Sequence, residues 1–347
     1  MHESFLRRCF DLARLGAGSV SPNPLVGAVL VHAGRIIGEG WHQRYGEAHA
    51  EVNCLLSVSA DNQALIPHST LYCSLEPCSH FGKTPPCVDL ILAHKIPRVV
   101  VSNTDPNPLV AGQGLRKLAD AGVEVIAGIL EAEGAWLNRA FFTWITRERP
   151  YIILKWAQSR DGYLGKAGER TAISGPVAQR LVHRWRSEVD AILVGTTTAI
   201  VDNPRLDNRL YYGKSPLRLV FDRHGQLPPA ANLLDDSVPT WIFGPQRLGD
   251  WQQTQFFPSP EAVSIPALLG QLRAANRAIL LVEGGAQVLQ QWLDLGYWDE
   301  VRILENERVL GEGLRAPGIP SQVVLQATYR IGTDSVRVFA AALKTRP

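Results

Sequence analysis

Short apolar runs of strand length alternate with helix-length amphipathic segments along the chain, and this alternation most restricts the folds open to it. It predicts an α/β fold in which a mostly parallel sheet is covered on both faces. The charged stretch at residues 144–150 ends in proline and interrupts the alternation, which starts again with an apolar strand at residues 151–157. We therefore predict two domains, over residues 1–147 and 148–347.

The end of the second half has a different pattern. Residues 323–331 and 336–343 flank a Gly-Thr-Asp-Ser turn, and this predicts an antiparallel hairpin that closes the second sheet. Ser174 precedes a predicted helix at residues 176–187 and is its expected N-cap.

His49 and Glu51 are followed by Cys78 and Cys87, a pattern that indicates a catalytic metal site. One imidazole and two thiolates are three protein ligands for tetrahedral zinc, and they leave a fourth position open for water. Zinc lowers the pKa of that water to near neutrality, and Glu51 is then placed to transfer its proton. The His-x-Glu…Pro-Cys order is that of the zinc nucleobase deaminases, in which the glutamate is general acid and base.

His49 and Glu51 converge only if His49 lies at the start of a helix, because residues two apart on a regular helix point about 200° apart. A Pro-Pro pair before Cys87 likewise predicts a helix start, where a thiolate is stabilised. The remaining cysteines lie at core positions without ligand spacing, and we interpret them as small buried apolar residues: Cys9, Cys54 and Cys73.

Eight residues separate Cys78 from Cys87, whereas the common deaminase pattern has two. Together with Ser-Pro-Asn-Pro-Leu-Val-Gly at residues 21–27 and Asp-Pro-Asn-Pro at residues 105–108, this loop resembles the pyrimidine deaminases of riboflavin biosynthesis. The resemblance covers the first domain and implies a cytidine-deaminase-like, three-layer α/β fold. It implies that Asn23 hydrogen-bonds the pyrimidine ring and that His80 and Lys83 line the substrate pocket. Asn between two prolines is also a common turn residue.

The second domain carries a candidate site for a nucleotide and a phosphate. A predicted strand at residues 279–283 runs through a Gly-Gly pair into a helix, whose free amides would bind an anion. A hydroxyl-rich loop at residues 196–204 follows the predicted strand at residues 191–195, at the strand end where α/β proteins bind cofactors. Three arginines flank this loop and suit either a phosphate contact or an exposed surface: Arg186, Arg205 and Arg209.

These segments, with Leu-Lys-Trp-Ala-Gln-Ser-Arg-Asp-Gly at residues 154–162, resemble the reductase domain of the bifunctional riboflavin enzymes. The resemblance implies a dihydrofolate-reductase-like fold and NADPH as cofactor, and we take Lys155 and Glu283 as candidate catalytic groups. Arg223 suits either the cofactor's 2′-phosphate or solvent. The residues implied to hold NADPH are Ala157, Ala172, Thr198, Asp202, Gly285, Ala286 and Gln287. Those implied to meet the ribosyl phosphate substrate are Arg170, Arg186, Leu206, Arg209 and Glu283.

The chain departs from the reductase pattern at three places. Thr-Ala-Ile-Ser at residues 171–174 replaces the usual Trp-Ile-Thr, so an aromatic ring that commonly contacts the cofactor is absent near Ala172. Arg170 stands where a substrate-contacting serine is usual, and residues 304–308 replace an Ala-Pro. In the first domain, Ala48 replaces a proline before His49, and we expect this to affect only the entry into the helix.

The two resemblances imply one bifunctional enzyme. Zinc-dependent hydrolytic deamination of 2,5-diamino-6-ribosylamino-4(3H)-pyrimidinone 5′-phosphate would precede NADPH-dependent reduction of the ribosyl chain to ribityl. Lys and Arg number 35 against 33 Asp and Glu, and a net charge of +2 gives no electrostatic reason to expect nucleic-acid or membrane-surface binding. Five cysteines, an odd number, favour reduced thiols and the cytoplasm. The sequence leaves open whether sheet edges pair into a homo-oligomer.

Three alternatives remain open at this stage. The first is a tRNA or nucleoside deaminase with an unrelated C-terminal domain, against which the long cysteine spacing and the near-neutral charge both count. The second is a binding protein in which zinc is structural and the second half senses a sugar phosphate. The third keeps the deaminase activity but has a degenerate reductase domain.

Overall fold

The computed structural model describes residues 2–81, 85–108, 110–245, 249–258 and 264–342. The chain forms two compact units, Met1–Glu148 and Arg149–Pro347. Each unit is an α/β structure, as the alternation of strands and helices predicts. In the described ranges, no helix has both the length and the apolar character needed to cross a membrane.

The first unit packs its helices against one five-stranded sheet, with strand order β2-β1-β3-β4-β5. The strands are β1 (Gly27–His32), β2 (Arg35–Trp41), β3 (Thr70–Leu75), β4 (Arg98–Asn103) and β5 (Glu124–Ile126). The helices are α1 (His2–Arg14), α2 (Ala50–Leu56), α3 (Cys87–Ala93), α4 (Gln113–Asp120), α5 (Glu131–Leu137) and α6 (Arg139–Thr146).

This sheet is mixed, which corrects the expectation of a mostly parallel one. The strand β1 runs antiparallel to both β2 and β3, and only the β3-β4 and β4-β5 pairs are parallel. For the β1-β2 pair the reason lies in the link between the two strands, where Ala33 and Gly34 both have positive φ, 47° and 78°. A two-residue turn of this kind forces an antiparallel hairpin.

Cys9, Cys54 and Cys73 are fully buried, as predicted.

The second unit is built around a nine-stranded sheet. A separate two-stranded ribbon consists of β7 (Tyr163–Gly165) and β14 (Leu314–Arg315). The nine strands of the main sheet are β6 (Tyr151–Ser159), β8 (Ala191–Gly195), β9 (Leu217–Phe221), β10 (Thr240–Phe243), β11 (Thr254–Phe257), β12 (Ile279–Val282), β13 (Glu300–Asn306), β15 (Val323–Ile331) and β16 (Asp334–Ala341). Its helices are α7 (Pro176–Glu188), α8 (Thr196–Val201), α9 (Ile265–Ala274) and α10 (Ala286–Asp294).

The strand order is β11-β10-β9-β8-β12-β6-β13-β16-β15, and the neighbours from β11 to β13 are all parallel. Central strands such as β8 are buried at every residue, so they read as continuous apolar runs. The antiparallel hairpin of β15 and β16 closes one edge of the sheet, as predicted, while Leu343 lies outside the described residues.

Two local predictions in the second unit were wrong. Gly175, rather than Ser174, is the N-cap of α7, because Gly175 has an extended backbone (φ −69°, ψ 169°) directly before Pro176; its amide donates to Asp334 Oδ2 at 3.0 Å. Residues 196–201 form the helix α8 instead of a loop. Three consecutive threonines have low helix propensity, but tertiary context overrides such a weak preference.

An ion pair within the second unit is expected to stabilise it. Arg149 donates through Nη1 and Nη2 to the two carboxylate oxygens of Asp299 at 2.6 and 2.7 Å, and Ile152 N also donates to Asp299 Oδ2. The side chains of Arg149 and Asp299 are 17% and 6% exposed. Asp299→Ala leaves the guanidinium without its partner, and we expect it to cost about 3–5 kcal/mol of unfolding free energy.

Urea unfolding followed by circular dichroism measures this loss. The matched control is Asp11→Ala, which removes an exposed partner of Arg14 and should cost less than about 1 kcal/mol. Equal urea midpoints for the two variants would contradict a stabilising role of the buried pair.

Candidate active sites

The first site lies where two helices begin. His49 is the N-cap of α2, with an extended backbone at ψ 167°, and Cys87 is the first residue of α3. Cys78 follows β3 in the chain. His49 Nδ1 is 3.5 Å from Cys78 Sγ and 3.4 Å from Cys87 Sγ, and the ligand atoms of all three residues lie within 4.8 Å of one another. The donor set and its convergence therefore fit a tetrahedral zinc ion with one position left for water.

Glu51 lies in the first turn of α2 and is only 3% exposed. Burial and the negative charge of Cys78 raise the pKa of its carboxyl group, and the Cys87 side chain is within hydrogen-bonding reach of it. The Cys87 side chain and the imidazole of His49 lower the pKa of the Cys78 thiol, although burial opposes this. The site thus places a buried carboxyl group beside its two thiols.

Asn23 reaches this site through a histidine that the sequence did not single out. Asn23 Nδ2 lies 3.2 Å from His42 Nε2, and His42 Nδ1 lies 3.0 Å from the carbonyl oxygen of Ala48. The rings of His42 and His49 meet edge to face, with centroids 5.5 Å apart. Burial is the main cause of the lowered pKa of His42, which favours the neutral ring. The adjacent Gly-Trp-His sequence carries no distinctive spacing, so only the fold identifies His42.

The loop that carries Cys78 is fixed by Glu76. This buried carboxylate accepts backbone hydrogen bonds from Asp105, Gly112 and Gly114 at 2.9–3.1 Å. A Cβ on Gly114 would lie 2.4 Å from the carbonyl oxygen of Pro77, so the close approach requires glycine. His80 is exposed and interacts electrostatically with Asp105, whereas Lys83 lies outside the described residues.

The second site is centred on a buried carboxylate with two cations. Glu283 directly follows β12 and Lys155 lies on the neighbouring strand β6. Glu283 Oε2 is 3.7 Å from Lys155 Nζ, and both its oxygens accept from the guanidinium of Arg186, at 3.2 and 2.8 Å. Burial alone would raise the pKa of Glu283, but the charges of Arg186 and Lys155 lower it to about 2. Burial and Arg186 also lower the pKa of Lys155, against the attraction of Glu283.

These three residues line a cavity of about 930 Å³, within the size range of ligand pockets. The structure brings every candidate residue of the second domain to this cavity: Lys155, Ala157, Arg170, Ala172, Arg186, Thr198, Asp202, Arg205, Leu206, Arg209, Arg223, Glu283, Gly285, Ala286 and Gln287. Sequence reasoning missed other lining residues on α7 and beyond, among them Gln179, His183 and Asn232.

One side of the cavity fits a nucleotide. Gly285 is the N-cap of α10, and the start of that helix lines the cavity, so its free amides can bind an anion there. A Cβ on Gly285 would lie 3.1 Å from Thr198 Oγ1, and would therefore fill the gap between the two segments. The cavity is also rich in cations, including Arg223. These features suit a phosphorylated dinucleotide.

Comparison with known proteins supports the same assignment. The cytidine and deoxycytidylate deaminase zinc-binding region matches residues 1–103, and the RibD C-terminal domain matches residues 150–342, more than half of the chain. The chain belongs to the RibD family. The riboflavin biosynthesis protein RibD of Aquifex aeolicus is 37% identical over 323 residues, covering 90% of this chain and 88% of that protein. RibD of Bacillus amyloliquefaciens is 38% identical over 332 residues, covering 92% and 88%.

Solved RibD structures have the same fold along the full length. A diaminohydroxyphosphoribosylaminopyrimidine deaminase/5-amino-6-(5-phosphoribosylamino)uracil reductase from Thermotoga maritima superposes with a TM-score of 0.89 at 33% identity, covering 98% of this chain and 99% of that one. An Acinetobacter baumannii RibD gives 0.86 at 31% identity, with the same coverage. This chain is therefore an enzyme with both RibD domains, a cytidine-deaminase-like one and a reductase one. The cofactors of these domains are zinc and NADPH.

Two of the departures from the usual RibD reductase pattern contact each other. Arg308, in the segment that replaces Ala-Pro, donates through Nη1 to the carbonyl oxygen of Ala172 at 2.9 Å. Ala172 lies in the segment that lacks the usual aromatic residue and lines the cavity. This hydrogen bond holds the backbone of the cavity segment at Ala172.

Proposed function

We propose that this enzyme deaminates 2,5-diamino-6-ribosylamino-4(3H)-pyrimidinone 5′-phosphate and then reduces the ribosyl chain of the product to ribityl. We assign deamination to residues 1–147 and reduction to residues 148–347. The observation that carries the proposal is the convergence of His49, Cys78 and Cys87 beside a buried glutamate. The names of the related T. maritima enzyme support the substrate and the order of the two steps.

In the deaminase half, His49, Cys78 and Cys87 would hold zinc, which supplies a Lewis acid that makes water nucleophilic at neutral pH. Glu51 would take one proton from the attacking water and deliver it to the ring nitrogen. It would then take the second proton from the newly added hydroxyl group and pass it to the amino group, which leaves as ammonia while the ring carbonyl forms. Asn23, fixed by His42, would read the edge of the pyrimidine through its amide. His80 and Lys83 would meet the rest of the substrate.

In the reductase half, NADPH supplies the hydride that the reduction of C1′ requires. Lys155 would hold a positive charge at the reacting end of the ribosyl chain, and Glu283 would fix Lys155 and Arg186 in place. Arg186, Arg209, Leu206 and Arg170 would bind the ribosyl phosphate. The residues that would hold NADPH are Ala157, Ala172, Thr198, Asp202, Arg223, Gly285, Ala286 and Gln287.

We extend the proposal to the binding partners and the cellular location of the enzyme. A net charge of +2 gives no electrostatic reason to expect a nucleic-acid or membrane partner beside the small phosphorylated pyrimidine. None of the five cysteines, all within the described ranges, forms a disulfide, and this supports the cytoplasm. We leave assembly into a homo-oligomer as an expectation for a sizing experiment.

A coupled assay tests both activities in one tube. Zinc-replete protein is given the diaminopyrimidinone ribosyl phosphate and NADPH, and ammonia release and NADPH oxidation are followed together. We expect ammonia first and NADPH oxidation after it. Ammonia release without NADPH oxidation would contradict the proposed reductase activity and indicate a degenerate domain. The absence of both signals would contradict the proposed substrate. RNA binding with a steep salt dependence would instead favour a tRNA deaminase.

Arg170 offers a test of substrate contact. It is exposed at the cavity. Burial raises the pKa of Asp202, and the nearby charge of Arg170 opposes that rise. Arg170→Ser removes one cation that attracts the ribosyl phosphate, and we expect KM for the deaminated substrate to rise about threefold to tenfold. Steady-state NADPH oxidation measures this. Arg160→Ser, an exposed arginine that does not line the cavity, is the control, and equal KM values for the two variants would contradict the contact.

A further inference from the structure

His183 lines the reductase cavity, yet neither the sequence motifs nor the family resemblance gave it a role. It lies on α7, three residues before Arg186, so the two side chains share one face of that helix. The residue is only 4% exposed. A polar ring buried this deeply needs hydrogen-bond partners.

The backbone fixes which nitrogen of the ring carries the proton. The amide of Arg209 donates to His183 Nδ1 at 3.2 Å, so Nδ1 is an acceptor. In a neutral imidazole the other nitrogen, Nε2, then holds the proton and is a donor. Nε2 has no hydrogen-bond partner within the described chain, and it is not completely buried. Its N–H is therefore accessible from the cavity that the ring lines.

The surroundings keep this ring neutral. Burial, followed by the positive charges of Arg186 and Arg209, lowers the pKa of His183 to about 4, although Asp207 and Glu283 act in the opposite direction. Near neutral pH the ring therefore has a single donor, which can recognise only an acceptor atom. The guanidinium groups of Arg186 and Arg209 lie next to it. Each is paired with a carboxylate, Glu283 and Asp207 respectively, and each keeps further N–H donors that can bind an anion.

From this geometry we infer that His183 Nε2–H donates a hydrogen bond to a phosphate oxygen of the ribosyl phosphate substrate, beside Arg186 and Arg209. This inference rests on the proposed reductase function. A neutral donor between two cations adds a directed hydrogen bond without adding charge. The hydrogen bond of Arg209 N to the ring also ties the segment that carries Arg209 to α7, so one side chain orients two phosphate contacts.

Two substitutions separate the two nitrogens. In His183→Asn the amide oxygen replaces Nδ1 as acceptor for Arg209 N, but nothing replaces Nε2–H. In His183→Gln the longer side chain places an amide N–H near the position of Nε2. In the full-length protein, we expect His183→Asn to raise KM for the deaminated ribosyl phosphate about tenfold to a hundredfold, as expected for a lost hydrogen bond to a charged group.

The readouts distinguish substrate binding from a structural role. For His183→Asn we expect kcat, KM for NADPH and the rate of ammonia release to stay within about threefold of the unmodified enzyme, the last because it belongs to the other half. For His183→Gln we expect KM to recover most of its original value. Equal losses in both variants, an unchanged KM in His183→Asn, or an effect on KM for NADPH would each overturn the inference.

A measurement without turnover makes this test independent of the proposed function. Nitrogen-15 NMR of the imidazole rings, with the His183 signal assigned by its loss in His183→Gln, reports the tautomer directly. We expect Nε2 to be protonated and its signal to shift when inorganic phosphate is added. Protonation at Nδ1, or no response to phosphate, would overturn the inference. An absence of NADPH oxidation in the unmodified enzyme would instead contradict the proposed reductase function.

Discussion

Exchange of Glu51 for glutamine is expected to slow ammonia release by about 10²–10⁴-fold while zinc stays bound. Glutamine has the same shape and can still form hydrogen bonds, but it cannot accept the proton of water or deliver one to the ring nitrogen. The side chain is buried in the first turn of α2, next to His49, and it lies outside the His49, Cys78 and Cys87 cluster that we propose to hold zinc. The rate of ammonia release and the zinc content are both measured on the same sample.

The matched control is Glu124→Gln, at an exposed ion pair with Arg98, which should leave ammonia release unchanged. NADPH oxidation with the deaminated product supplied should also be unaffected in both variants, because it depends on the other half. An unaltered rate of ammonia release in Glu51→Gln would favour a structural zinc site. Loss of zinc together with activity would show that Glu51 supports the metal instead of moving a proton.

The metal site was predictable because its geometry follows from local rules. A histidine and a glutamate two residues apart converge only at a helix start, and His49 is the N-cap of α2. The Pro-Pro pair before Cys87 marked the start of α3 in the same way. Both inferences need only a few neighbouring residues. His42 was missed because its partners, Asn23 and the carbonyl of Ala48, are brought to it by the fold.

The strand β13 shows why part of the fold could not be read from the sequence. Glu300 and Arg302 are charged, so the segment resembles exposed chain, yet both are buried and Arg302 Nε donates to Glu300 Oε1 at 2.6 Å. Tyr151, on β6, donates its hydroxyl to Glu300 Oε2 at 3.0 Å. These contacts compensate part of the burial of charge, while Arg302 Nη1 is buried without a hydrogen-bond partner among the described residues, and the tyrosine is distant in sequence. Polar satisfaction of this kind appears only once the strands are paired.

The sequence predicted which residues line the reductase cavity, but it did not predict the contacts between them. The glycine pair after β12 and the segment after β8 were found because parallel strands end at one edge of a sheet. The hydrogen bond of Arg308 to Ala172, which links two unusual segments, has no local signal. The same holds for His183, since only the fold places the amide of Arg209 against its ring.

Exchange of Lys155 for methionine is expected to slow NADPH oxidation by at least about 10²-fold, with ammonia release unchanged. Methionine fills the space of the lysine stem but supplies no charge where the proposed reaction needs it, next to Glu283. Lys117→Met, at an exposed ion pair with Asp89, is the control and should retain both activities. NADPH oxidation near that of the unmodified enzyme would contradict a catalytic role of Lys155.

The pH dependence gives an independent test of the same residue. Burial and Arg186 lower the pKa of Lys155, so Lys155 loses its charge at a lower pH than an ordinary lysine. We therefore expect kcat/KM for reduction to fall as the pH rises through this pKa. Glu283 acts in the opposite direction by raising the pKa of Lys155. In Glu283→Gln the alkaline fall should therefore move to lower pH. A shift to higher pH, or an alkaline fall that persists in Lys155→Met, would assign the titration to another group.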